Sequence, residues 1–138
     1  MIERIQEAVQ ARDAGKLGEL WEEIGVDGDA FHRCVLAHHM ADLQDDPHDE
    51  LAWDLRALEA AGQVGDERVK EHHPALAVRG FYPSLHLNLA ASYQRTGDKE
   101  RARSHVAQAQ GYLDALAPDA YGDMIREALG RLAGELGE

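Results

Sequence analysis

Residues 84–110 read SLHLNLAASYQRTGDKERARSHVAQAQ, and their spacing decides the fold. Leu85, Leu89 and Tyr93 recur on one helical face, and Ala102, Val106, Ala109 and Leu113 recur on one face of the next segment. Between them lies TGD, where Gly97 suits a left-handed helix end and Asp98 suits the N-cap that follows. The stretch therefore predicts two helices folded back on each other through a tight turn. Ala90 and Ala102 are small where the axes would cross, because a larger side chain there would hold the helices apart.

The same periodicity extends toward both ends of the chain. It predicts a helix over 2–14 with Ile2, Ile5 and Val9 on one stripe, stopped by Gly15, and a second over about 16–25 carrying Leu17, Leu20, Trp21 and Ile24. Asp29 is the expected N-cap of a helix reaching about residue 44, with Leu36 and Met40 one turn apart. A helix over about 49–62 would turn Leu51, Leu55 and Leu58 inward. Residues 63–82 are the least regular part, with DERVKEHH as a short helix before Pro74 and a packed loop beyond it. Pro83 opens the helix of the quoted stretch, the next runs to about residue 115, and Pro118 and Asp119 open a last one striped by Tyr121, Ile125, Ala128, Leu132 and Leu136. No segment alternates apolar and polar residues with period two. The expectation is an all-α single domain over 1–138, an antiparallel helix-pair stack of about seven helices whose last member caps the stack.

Composition narrows the function classes. The formal net charge is −12, which disfavours nucleic acid and anionic membrane surfaces as partners and mildly favours cationic ones. One cysteine, Cys34, allows no internal disulfide and no cysteine-based zinc cluster, and its expected role is that of a small buried apolar residue. The N-terminal MIERIQEAVQARDAG reads as neither signal nor transit peptide, and no stretch approaches the ~20 apolar residues of a membrane span. A cytoplasmic location is the corresponding expectation.

The quoted stretch resembles the tetratricopeptide repeat, whose pattern is W-x2-L-G-x2-Y followed by A-x3-F and a terminal proline. Leu89, Tyr93 and Ala102 match; Ala90 replaces the glycine, Val106 the aromatic, His86 the tryptophan and Asp114 the proline. A degenerate copy lies at VLAHHMADLQDD, where Leu36, Ala37 and Met40 repeat the spacing of Leu89, Ala90 and Tyr93. Leu36 and Leu89 are 53 positions apart, against a family period of ~34, and the excess falls at 63–82. The resemblance implies a non-catalytic module that binds a protein or peptide in a concave groove lined by the first helix of each pair. It implies candidate peptide-binding residues Ser84, Asn88 and Arg95 on one helix and His38 and Asp42 on the other. Asn88 would hold the peptide backbone, and Arg95 would meet an acidic group on it.

Chemical alternatives are weaker in the sequence. His38 and Asp42, spaced i,i+4, are the basis for the competing expectation, a helical metal-binding protein or metal-dependent enzyme. Against it, adjacent His38 and His39 diverge by about 100° around a helix. No zincin, hydrolase-elbow, EF-hand or phosphate-loop spacing is present, so no catalytic residue, cofactor or bound metal is expected. Trp21, Trp53, Phe81 and Tyr82 are candidate anchors for self-association into a homodimer.

Overall fold

The computed structural model describes residues 1–64, 82–115 and 119–137. Among these, every regular element is helical: α1 (Ile2–Gln10), α2 (Ala14–Ile24), α3 (Ala30–Asp42), α4 (Pro47–Ala61), α5 (Tyr82–Arg95), α6 (Lys99–Gln110), a 3-10 turn (Leu113–Ala115) and α7 (Ala120–Glu135). The fold is all-α. Phe81, Pro118 and the expected helix DERVKEHH lie outside the described residues.

Aspartates start most of the helices. Asp13, Asp29, Asp46, Asp98 and Asp119 accept backbone N–H bonds from Lys16, Phe31, His48, Arg101 and Gly122 at 2.7–3.1 Å. Each satisfies a donor that a helix N-terminus otherwise leaves open, and each places negative charge at the positive end of the helix dipole. Part of the acidic balance is thus capping chemistry.

The turn after α1 departs from expectation. Gly15 lies inside α2; the stop is Arg12, which takes φ 53°. Its N–H bonds the Val9 carbonyl at 3.0 Å, and the Asp13 N–H bonds the Ala8 carbonyl at 2.9 Å. The turn after α5 has the same pair of bonds, Gly97 to Gln94 at 3.1 Å and Asp98 to Tyr93 at 2.9 Å, with Gly97 at φ 87°. Both are Schellman caps followed at once by an aspartate N-cap. Glycine does without strain at 97 what arginine does at 12, which hid the first turn from sequence reading.

α3 packs on α4, α4 on α5, and α5 on α6, while α7 lies against α5 and α6, and α1 and α2 pack on each other and reach α3. One core joins Ala90, Ala102, Val106 and Ala109 to Ile125, Leu129 and Leu132 of α7; another joins Ile5, Leu17 and Leu20 to Leu36 and Met40. Ala90 and Ala102 are wholly buried in the first. Enlarging either to leucine is expected to overpack the crossing and destabilise by roughly 1–3 kcal/mol, read as an earlier urea midpoint with unchanged slope. Wild-type midpoints in both variants would show that neither position is a close crossing.

The buried face of α4 is not the leucine stripe. Leu55 is 41% exposed, and the face turned inward carries Asp54, Ala57, Ala60 and Ala61. α4 is wedged between α3 and α5, so small residues win over large ones there. On α7 the inward face is Gly122, Ile125, Leu129 and Leu132, and Tyr121 is half exposed. Trp21 and Trp53 pack edge to face at 5.0 Å, with the guanidinium groups of Arg33 and Arg56 over their respective faces. Tyr82 stacks on Tyr112 at 4.9 Å, and His86 and His105 stack on each other at 5.1 Å, His86 also against Tyr82 and Tyr112 and His105 against Tyr93. Among the described residues, no helix is long and apolar enough to cross a membrane.

Candidate functional site

Where the C-terminus of α3, the first half of α4 and the middle of α5 meet, a cavity of about 220 Å³ opens, lined by Asp42, Glu50, Asp54, Asn88, Ala91 and Arg95. Each helix contributes at a defined point. Asp42 is the last residue of α3, at the negative end of its dipole. Glu50 and Asp54 are one turn apart near the start of α4, which Asp46 caps and Pro47 opens. Asn88, Ala91 and Arg95 follow one another along the face of α5 turned away from its core stripe.

The polar centre of this region is Ser92, wholly buried on α5. Its oxygen lies 2.6 Å from Asp54 Oδ2 and 3.0 Å from Glu50 Oε1. A hydroxyl has one hydrogen to give. With Asp54 ionised, Ser92 donates to Asp54, the shorter contact, and Glu50 is held by its ion pair with Arg95. With Asp54 protonated, Asp54 donates to Ser92 and Ser92 donates to Glu50, so the relay is complete only in that state. Asp54 is 4% exposed, and burial pushes its carboxyl up to about 6; the Ser92 bond pulls the other way, and the charge of Asp42 adds to the rise.

Asn88 reaches across to α3: its amide nitrogen lies 3.2 Å from His38 Nδ1. His38 and Ser84 line a neighbouring hollow of about 180 Å³ with Cys34, Val35, His39 and Tyr121. On the opposite side, Asn88 and Ala91 also line a hollow of about 300 Å³ between α5 and α7, bordered by Leu87, Gln94, Arg131 and Glu135. Three depressions thus adjoin along α5, with Asn88 shared by two of them and bonded to a residue of the third. Cys34 is buried, and burial pushes its thiol up to about 12, so it packs as an apolar residue.

The five residues expected from the sequence line two separate hollows, linked by the Asn88–His38 contact. Asp42, Asn88 and Arg95 share the central cavity; His38 and Ser84 share the adjoining hollow. Two of the expected roles meet competition: the Arg95 guanidinium is engaged by Glu50, and Asn88 already bridges α3 and α5. Sequence reading missed Glu50, Asp54 and Ser92. The signal for the two acids was the i,i+4 carboxylate pair in DELAWD, which reads equally as a solvated helix face until α5 covers it.

A second cluster sits on α3. One ring nitrogen of His38, one of His39 and a carboxylate oxygen of Asp42 all lie within 4.8 Å of one another. The two rings meet edge to face with centroids 5.1 Å apart, although their side chains leave the helix at different angles. Burial and the neighbouring His38 lower the His39 pKa, while Asp42 opposes the shift.

No protein-family model, no curated protein and no solved structure matches this chain. The tetratricopeptide resemblance stands on residues 84–113 and the helix order alone.

Proposed function

We propose that this chain is a non-catalytic recognition module, a tetratricopeptide-like stack capped by α7, whose crevice along α5 receives an extended segment of a partner protein. A basic side chain of that segment enters the central cavity. The observation that carries the reading is the charge of that cavity: three carboxylates, Asp42, Glu50 and Asp54, face one guanidinium, Arg95, which Glu50 already neutralises. The surplus is negative, and the α3 C-terminus adds to it. A lysine or arginine complements this surplus better than the acidic group expected from Arg95 alone.

Size supports the same reading. Cavities for drug-sized ligands run to about 300–1,000 Å³, and the central one, about 220 Å³, is nearer the volume of a single side chain. The hollows on either side supply room for the flanking residues of an extended segment. Ser92 supports a non-catalytic role, because its hydroxyl is wholly buried between two carboxylates and closed to a substrate.

The test is an array of short peptides that carry lysine, arginine, alanine or glutamate at one central position, probed with full-length protein in the presence of a chelator. Lysine and arginine peptides are expected to bind, and Ala91→Phe, which fills the cavity without changing charge, should abolish the preference. Asp54→Asn should weaken it about tenfold, the loss expected for one charge-assisted bond. Equal capture of glutamate and lysine peptides would overturn the assignment.

A further inference from the structure

The cluster on α3 supports a separate inference. We propose that His38, His39 and Asp42 form a binding site for one divalent transition-metal ion of the zinc, nickel and cobalt class, with Asn88 as the residue that orients His38. It does not rest on the recognition reading.

The objection from sequence was that adjacent histidines diverge by about 100°. The position of Asp42 answers it. At 100° per residue, a residue four after His38 and three after His39 falls about 40° from the first and 60° from the second, so its direction lies between them. Side chains on a helix lean toward its N-terminus, and Asp42 therefore leans back over the turn that carries both rings. The outcome is three donor atoms within 4.8 Å of one another. Donors about 2.0–2.2 Å from a tetrahedral ion lie roughly 3.5 Å apart, so the three must draw together by about 1 Å. Asp42 is exposed and both rings are only half-buried, which leaves side-chain rotation free to do this.

The neighbouring helix supplies the partner that metal-bound histidines usually have. The Asn88 amide nitrogen lies 3.2 Å from His38 Nδ1; placed so, it donates to Nδ1 and the ring hydrogen sits on Nε2. A half-turn of the amide exchanges its nitrogen and oxygen, so that the carbonyl accepts the Nδ1–H and fixes the tautomer whose Nε2 lone pair can coordinate. Two imidazoles and one carboxylate suit borderline ions rather than magnesium or calcium, which prefer all-oxygen sets. Three protein ligands leave at least one position open to water or to a group from outside. The carboxylates of the adjoining cavity make the surroundings negative, which favours a dication.

The experiment uses the untagged full chain, stripped with chelator and titrated calorimetrically with zinc chloride and with nickel chloride, with X-ray absorption on the zinc-loaded protein. One ion per chain is expected, in a shell containing two imidazole nitrogens and a carboxylate oxygen. His38→Ala, His39→Ala and Asp42→Asn should each lower affinity tenfold or more, and Asn88→Ala by about 10–100-fold. His32→Ala, His48→Ala and the double change His72→Ala/His73→Ala should leave it unchanged. Affinity that survives the three ligand changes, or that is lost in the control variants, would overturn the site. Should a ligand variant fail to fold by circular dichroism, the absorption spectrum of the wild type decides, and a shell without two imidazoles refutes the proposal.

Discussion

Asp54→Asn is expected to raise stability at pH 7.5 by up to about 3 kcal/mol, because the asparagine removes a charge that the fold keeps dry. The carboxyl moves from an ordinary 3.8 to about 6 on folding, and each pH unit of such a displacement corresponds to about 1.4 kcal/mol. A carboxyl whose folded value is raised favours the native state in its protonated form. Its contribution is therefore fully present below about pH 3.8 and is lost as pH rises through about 6. Asparagine is neutral at every pH and its carbonyl still accepts the Ser92 hydroxyl, so the gain over wild type should be largest above pH 7, about half as large at pH 5, and nearly gone below pH 4. Glu50, Asp42 and Arg95 also line the cavity, and the difference between variant and wild type isolates the Asp54 term from theirs. Urea midpoints across this range test the claim. A variant less stable than wild type at pH 7.5 would mean that Asp54 is held as a stabilising ion. Binding sites commonly trade stability for function, and the same variant should also show weakened recognition of basic peptides.

His86→Phe should act in the opposite direction. His86 is buried against Tyr82, His105 and Tyr112, and its Nδ1 lies 2.9 Å from His105 Nδ1. One ring must donate and the other accept, so the bond is lost if both carry two protons. Burial, and then the charge of His105, push His86 down to about 4 from 6.5, and His105 is itself lowered by burial. A histidine lowered in this way contributes stability that is present above pH 6.5 and is lost as pH falls through about 4, by up to about 3 kcal/mol. Phenylalanine keeps the stacking on Tyr82 and Tyr112 and removes the titration. Over the window from about pH 6 to 4 the wild-type terms from Asp54 and His86 nearly offset each other. Acidification should then destabilise Asp54→Asn more steeply than wild type, whereas His86→Phe should gain stability as pH falls. Parallel profiles for wild type and His86→Phe would refute the buried-histidine term.

The helices were legible because their signals are local. The leucines and alanines of α5 and α6, Gly97 after α5, and Asp29, Asp98 and Asp119 as caps each act over one or two turns, and these lie where expected. Two of the misplaced features have local reasons as well. Arg12 does a glycine's work at the end of α1, and α4 buries small residues with Asp54 in place of its leucines. Neither departure leaves a mark in periodicity.

The candidate site divides the same way. Sequence alone picked out Ser84, Asn88 and Arg95 by their spacing on α5, and His38 and Asp42 by theirs on α3, because one helix fixes which of its own residues share a face. It could not place Glu50 and Asp54 against Ser92, since those contacts span 38 and 42 positions and form only when α4 packs on α5. Nor could it foresee that Arg95 would be neutralised by Glu50, or that Asn88 would meet His38 across 50 positions. The chain's periodicity determined the all-α class and the core stripes of α5 and α6. Tertiary packing decided which carboxylate lost its water and which cation lost its freedom, because desolvation and charge pairing depend on what covers a residue and not on what precedes it.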